Sequence, residues 1–134
     1  MIVLDASAIV AILTGEPECE SLAAVLERAD GSETSPIAVF EASVALRRKK
    51  ECSIAQAEDA VTEFLRLAGV RLAPIEPRAA HDALEAYGRY GKGARHPARL
   101  NLGDCFAYAH AAALRAALLY KGEDFSMTDI ERAR

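Results

Sequence analysis

The chain opens with MIVLDASA, residues 1–8, in which a short apolar run ends at a carboxylate. A continuous apolar run of this length is typical of a strand buried on both faces of a parallel sheet. Ala6 to Leu13 has the composition of a helix, and Thr14-Gly15-Glu16-Pro17 breaks it. A buried strand that passes directly into a helix is the beginning of an α/β unit.

The same alternation continues along the chain. Further strands are predicted at 33–35, 70–73 and 118–120, and further helices at 17–30, 35–49, 53–67, 77–90 and 101–117. We also expect Ser126 to Asp129 to form a capping box for a last turn. Without a linker or repeat, the 134 residues predict one domain, 1–134, with a three-layer α/β/α fold and a short, mainly parallel sheet. Ligands of such folds collect beyond the carboxyl ends of the strands.

Composition limits the function. Apolar residues make up 51% of the chain and charged residues 27%, which is typical of a globular protein, and the net charge of −4 gives no global basic signature. Three cysteines without metal-ligand spacing predict reduced thiols, and no basic segment precedes the first apolar run, so we expect a cytoplasmic protein. The apolar region 102–119 is interrupted by charges, which argues against a membrane span.

Four acidic residues lie just after predicted apolar strands or near the starts of predicted helices. Asp5 ends the first strand and Asp124 follows the last, while Glu41 and Asp104 lie in the first two turns of predicted helices. No Lys or Arg adjoins Asp5, Glu41 or Asp104 in the sequence. An ionised carboxylate beside a core is unfavourable unless it is paired or bound to a metal.

Each acid also has a purely structural interpretation. Asp5 can cap the following helix, and Glu41 suits the positive end of a helix dipole, although its i+3 and i+4 neighbours are apolar. Asp104 can close a capping box with Asn101. Asp124 lies in a sequence that also forms ordinary polar turns.

The four acids together are harder to explain structurally. Two carboxylates about 4 Å apart repel by about 4 kcal/mol at an effective dielectric constant near 20. A cluster therefore needs a cation, or some members must stay protonated. Oxygen ligands suit Mg²⁺ or Mn²⁺, which keep waters for a substrate, and such an ion supports phosphodiester hydrolysis.

Four blocks in this order resemble the PIN-domain family, and they look most like its VapC-type toxins from bacterial toxin–antitoxin pairs. The blocks are MIVLDASA at 1–8, FEAS at 40–43, NLGDCFAYA at 101–109 and LLYKGEDF at 118–125. The similarity covers essentially the whole chain, and the order and spacing of the blocks make it specific.

The resemblance implies that Asp5, Glu41, Asp104 and Asp124 bind Mg²⁺ or Mn²⁺ for ribonuclease activity. Ser7 occupies the family's Ser/Thr position, which supports the site by hydrogen bonding. Relatives commonly carry Asn or Asp where this chain has Glu123, so the fourth acid is Asp124 alone or shared with Glu123. The resemblance further implies structured RNA such as tRNA or rRNA as the substrate, inhibition by a VapB-type antitoxin, a homodimer and a toxin–antitoxin hetero-oligomer.

A basic segment precedes the Asp104 helix. Lys92, Arg95 and Arg99 lie there without an acid, and they are candidates for phosphate contacts, Arg99 first; a solvated loop is the alternative. Gly91-Lys92-Gly93 is too short for a phosphate loop. The histidines 81, 96 and 110 fit no ligand spacing with the acids.

Two other functions fit parts of the sequence. An inactive PIN-like module that only binds a partner would be free to lose the acids, which this chain retains. A phosphatase of the haloacid-dehalogenase type, built on Asp5, requires a second acid where this chain has Ser7.

Overall fold

The computed structural model describes residues 1–134 as an α/β fold with six α-helices and four strands. The elements are β1 Ile2–Leu4, α1 Ala6–Leu13, α2 Cys19–Arg28, β2 Ser32–Thr34, α3 Pro36–Lys50, α4 Ile54–Leu67, β3 Arg71–Leu72, α5 Arg78–Tyr90, α6 Leu102–Leu114 and β4 Ala117–Leu119, with a 3-10 helix at Asp124–Met127. None of the helices combines the length and the apolar character that crossing a membrane requires.

The sheet has the strand order β3-β2-β1-β4, and every neighbouring pair is parallel. Strand β1 is central, because Ile2 pairs with Ser32 of β2 on one side and with Ala117 of β4 on the other. The predicted parallel sheet is therefore confirmed. Because these strands are parallel, the carboxyl ends of β1, β2 and β4 lie at one edge of the sheet. Asp5 follows β1, the helix with Glu41 follows β2, and Asp124 follows β4.

Helices cover both faces of the sheet. Ile2 and Leu4 pack in a core with residues of α1 to α4, whereas Val3 packs in a second core with residues of α5 and α6. Because side chains alternate between the faces of a strand, β1 must be apolar at each position. This confirms the predicted three layers and explains the run that opens the chain.

Local signals place the helix starts. The side chain of Ser35 accepts the N–H of Ala38, and Pro36 occupies the first turn of α3. Ser53 and Gln56 form a capping box at the start of α4. These starts match the sequence prediction, while β3 is shorter than predicted and α2 begins two residues after Pro17.

The prediction that the last long helix reaches about residue 117 was wrong. Helix α6 ends at Leu114, Arg115 adopts a left-handed conformation with φ of 52°, and Ala117 begins β4. The alanine-rich sequence favours a helix, but pairing of Ala117 with Ile2 in the sheet prevails. Tertiary pairing therefore sets this boundary.

The predicted capping box at Ser126 to Asp129 was also wrong. The hydroxyl of Ser126 donates to the carbonyl of Glu123, and that of Thr128 donates to the carbonyl of Phe125, within and beyond the 3-10 helix. The following segment pairs with β4, where the N–H of Leu118 donates to the carbonyl of Glu131 at 2.8 Å. The C-terminal segment thus covers the outer edge of the sheet.

Candidate metal centre

The four predicted acids lie beyond the carboxyl edge of the sheet. Asp5 directly follows β1, and its N–H donates to the carbonyl of Leu119, the last residue of β4, at 3.0 Å. Asp124 begins the 3-10 helix after β4. Glu41 lies in the second turn of α3, which follows β2, and Asp104 lies in the first turn of α6.

The carboxylates are close enough to alter one another's pKa. Burial and then the charges of Asp5 and Asp104 raise the pKa of Glu41 to about 7. Burial raises the pKa of Asp104 to about 6, and the charges of Asp5 and Asp124 add to the rise. Burial also raises the pKa of Asp5, against hydrogen bonds from Ser7, and Asp124 contributes to this rise. The structure therefore brings all four acids together; we call them the acidic quartet.

No member of the acidic quartet forms a salt bridge. Repulsion between the carboxylates is thus not offset by an Arg or Lys held against them. The donors offered to a cation are carboxylate oxygens only, which suits a hard divalent ion such as Mg²⁺ or Mn²⁺. The residues present fit such an ion.

Ser7 connects two parts of this site. The Oδ2 atom of Asp5 accepts the N–H of Ser7 at 3.0 Å and its hydroxyl at 2.5 Å. The Ser7 hydroxyl oxygen in turn accepts the N–H of Lys121 at 3.0 Å, three residues before Asp124. Asp5 therefore caps α1, as its structural interpretation predicts, and the same contacts tie it to the Asp124 turn.

Asp104 forms the capping box predicted for it and also lies among the four acids. Its Oδ2 atom accepts the backbone N–H of Asn101 at 3.0 Å, and the Asn101 side chain accepts the N–H of Asp104 at 2.9 Å. This capping box leaves Oδ1 of Asp104 without a hydrogen bond inside the protein. The box fixes the side chain while one oxygen stays available to an ion.

Gly103 is a residue of this site that the sequence did not predict. It is buried in the first turn of α6, and a Cβ atom added there would overlap the Glu41 carboxylate. Glu41 makes no side-chain hydrogen bond, and its carboxylate lies close to Gly103 at the start of α6. The only signal in the sequence is the glycine that precedes Asp104.

Contacts from distant segments hold the turn before Asp124. Lys121 forms a salt bridge of 2.9 Å with Glu16, which also binds Lys49 at 2.9 Å. Arg132 donates to the carbonyls of Tyr120 at 3.4 Å and Gly122 at 3.3 Å. These residues were missed at the sequence level because the segments that meet here are far apart in the chain. Nothing in the structure assigns Glu123 a place among the four acids.

The basic segment forms a closed loop beside the acidic quartet. Two hydrogen bonds join the ends of the loop: the N–H of Lys92 donates to the carbonyl of Leu100 at 3.2 Å, and the N–H of Leu100 donates to the carbonyl of Tyr90 at 2.8 Å. Lys92, Arg95 and Arg99 are all exposed, and the charge of Lys92 lowers the pKa of Asp104. Lys92 is thus close enough for its charge to act on Asp104 without forming a salt bridge with it.

The histidines lie in other surroundings. His110 binds the buried carboxylate of Glu33 at 2.8 Å, and Arg71 binds its other oxygen at 2.8 Å. His81 lies on the exposed face of α5 beside Glu85. His96 packs edge-on against Tyr90.

Comparisons with known proteins agree with this arrangement. The PIN domain family matches residues 2–131. VapC ribonuclease R02377 of Rhizobium meliloti (strain 1021) is 43% identical over 138 residues, which cover 95% of this chain and 97% of that protein. Ribonuclease VapC42 of Mycobacterium tuberculosis (strain H37Rv) is 37% identical over 131 residues, which cover 98% of each chain.

A solved structure has the same fold. The crystal structure of Mycobacterium tuberculosis VapC20, described as a toxin that cleaves the sarcin–ricin loop, aligns with a TM-score of 0.75. The alignment covers 97% of this chain and 96% of VapC20, at 18% sequence identity. At this identity the likeness establishes the fold.

Proposed function

Because the chain belongs to the PIN-domain family and is a ribonuclease of its VapC group, we propose that its acidic quartet binds Mg²⁺ or Mn²⁺ to cleave RNA. The observation that supports this most strongly is that burial, together with the charges of the other acids, raises the pKa values of Glu41 and Asp104, while no Arg or Lys forms a salt bridge with either carboxylate. Residues 1–134 constitute one PIN-like domain in this proposal.

The residues of the quartet have different roles. Asp5 and Asp104 are the primary ligands, since hydrogen bonds fix one oxygen of each and orient the carboxylate. Glu41 and Asp124 complete the site directly or through waters, and they position the water that attacks the phosphodiester. A bound divalent ion would lower the pKa of a coordinated water and offset negative charge on the phosphate. Ser7 and Asn101 keep Asp5 and Asp104 in place.

The substrate is RNA, and we propose structured RNA such as tRNA or rRNA, cut in an accessible single-stranded loop. Lys92, Arg95 and Arg99 contact phosphates along the strand. Contacts of this kind give affinity without sequence choice, so the loop explains binding beside the acids and leaves the cleavage motif to other residues.

A VapB-type antitoxin inhibits the enzyme in this proposal, within a hetero-oligomer in which the toxin is a homodimer. Large apolar side chains adjoin the acidic site: Phe40 is 71% exposed next to Glu41, and Leu102 is 67% exposed next to Gly103. Exposed apolar surface of this kind is typical of a protein interface. Light scattering of the chain alone, and with the product of an adjacent antitoxin-like reading frame, measures both assemblies.

The experiment is RNA cleavage with Mn²⁺, with EDTA, and with Asp5→Asn. Asn caps a helix as well as Asp does, so this variant is expected to fold while it loses the charge that binds the ion. Cleavage should stop in EDTA and in Asp5→Asn, and it should persist in the control Asp59→Asn, which changes an exposed acid of α4. Cleavage that survives both EDTA and the Asp5 substitution would exclude the metal mechanism.

A further inference from the structure

Gly103 lies in an ordinary helical conformation, so its backbone does not require a glycine. Glycine in a helix is less favourable than alanine by up to about 1 kcal/mol. Gly103 is nevertheless buried, and an added Cβ would lie on top of the carboxylate carbon and both oxygens of Glu41. The space is therefore needed by the neighbouring side chain.

No polar contact holds Glu41 in that space. It takes part in none of the side-chain hydrogen bonds and salt bridges, unlike Asp5 and Asp104. A flexible glutamate without such contacts takes the position that packing leaves open. Here the open position lies against the first turn of α6, one residue before Asp104.

Another helical glycine provides a comparison. Gly88 in α5 has open space where its Cβ would be, so nothing in the structure uses its missing side chain. The close approach at Gly103 is therefore specific to the helix that supplies Asp104.

We propose that Gly103 is a positioning residue: its missing side chain creates the space that holds the Glu41 carboxylate within the acidic quartet. This inference rests on the role proposed above for Glu41. An alanine at position 103 drives the carboxylate away from Asp5 and Asp104, although all four acids remain in the chain.

The test is a double-mutant cycle of Gly103→Ala with Glu41→Asp, read out as Mn²⁺ affinity by calorimetry without RNA. Aspartate is shorter by one C–C bond, about 1.5 Å, so its carboxylate no longer reaches the added methyl group. We expect Gly103→Ala to weaken Mn²⁺ binding by about 10-fold or more in the Glu41 protein, as is typical when the support of a ligand is lost. In the Glu41→Asp background the loss should be less than about 3-fold, since the two changes act through one contact.

Gly88→Ala is the matched control, and its Mn²⁺ affinity should equal that of the unmodified protein. An equal loss from Gly103→Ala in both backgrounds, or no loss in either, would overturn the inference.

Melting temperature provides a second cycle, with Glu41→Ala in place of Glu41→Asp and EDTA present. Alanine is favoured over glycine in a helix, and the overlap offsets this gain only where the Glu41 carboxylate is present, so Gly103→Ala should raise the melting temperature less in the Glu41 protein than in the Glu41→Ala protein. An equal change in melting temperature in both backgrounds would contradict the contact. This cycle also decides the matter if Gly103→Ala folds poorly. If the unmodified protein binds no Mn²⁺, the proposed function fails, while the thermal cycle still tests the contact itself.

Discussion

The acidic quartet makes the metal-free protein less stable as the pH rises. The pKa of Glu41 is about 7 in the folded protein against an ordinary value of 4.5, so the folded state holds a proton that the unfolded chain releases. The contribution of Glu41 to the free energy of unfolding is therefore largest below pH 4.5, and it is lost as the pH rises through 7. The direction is opposite to that of a carboxylate in a salt bridge.

The size of the effect follows from the pKa. Glu41 in the folded protein keeps its proton up to about pH 7, so the free energy of unfolding falls over about 1.5 pH units when the pH is raised from 5.5 to 8. This corresponds to about 2 kcal/mol. Because Glu41 is partly exposed, we halve this to about 1 kcal/mol. An unfolding entropy of about 2.1 cal/mol/K per residue converts it to a melting-temperature difference of about 3 to 4 °C for a chain of this length.

The assay is thermal unfolding in EDTA at pH 5.5 and pH 8, with Glu41→Gln as the comparison. The unmodified protein should lose about 3 to 4 °C more over this interval than Glu41→Gln, which has no charge to gain. Glu58→Gln, an exposed residue of α4, is the matched control and should behave as the unmodified protein does.

Mn²⁺ should remove most of the difference, and it should stabilise more at pH 8 than at pH 5.5, because protons compete with the ion. The same pH dependence in the unmodified protein and in Glu41→Gln would refute the reasoning.

Three further changes test the supports of the site. Ser7→Ala should weaken Mn²⁺ binding by about 10-fold to 100-fold in calorimetry, whereas Ser21→Ala, which removes an exposed hydroxyl, should not. Phe125 is only 1% exposed, so Phe125→Ala leaves a cavity in the core and should lower the free energy of unfolding in denaturant by about 3 to 5 kcal/mol. Leu84→Ala, at an exposed position, should lower it by about 0.5 kcal/mol or less. Arg132→Met removes two hydrogen bonds to the turn before the fourth acid, and it should weaken Mn²⁺ binding while secondary structure by circular dichroism is unchanged.

The parts of the fold that depend on neighbouring residues could be predicted from the sequence. The run at residues 2–4 specifies a strand buried on both faces, and the predicted capping box of Asn101 with Asp104 needs a partner only three residues away. The joint presence of four acids, three of them without an adjoining Lys or Arg in the sequence, also predicts a divalent-ion site.

The boundary of α6 shows the limit of such reasoning. Local composition favours a helix through Ala117, yet that residue is in β4 because β1 and the C-terminal segment offer it partners. The pairing partners lie far away in sequence, so no local pattern contains them.

Local sequence patterns are sufficient to predict the alternation of strands and helices, the acids at one edge of the sheet, and the caps that orient Asp5 and Asp104. Three contacts depend instead on how distant segments pack: Glu41 lies over Gly103, Ser7 joins Asp5 to the turn before Asp124, and Arg132 donates hydrogen bonds to that turn. The two groups differ in the range of the interactions that form them. Helix caps and strand patterns involve residues a few positions apart in the sequence. The contacts of Glu41, Ser7 and Arg132 join segments that are far apart in the sequence, so they form only where the core brings those segments together.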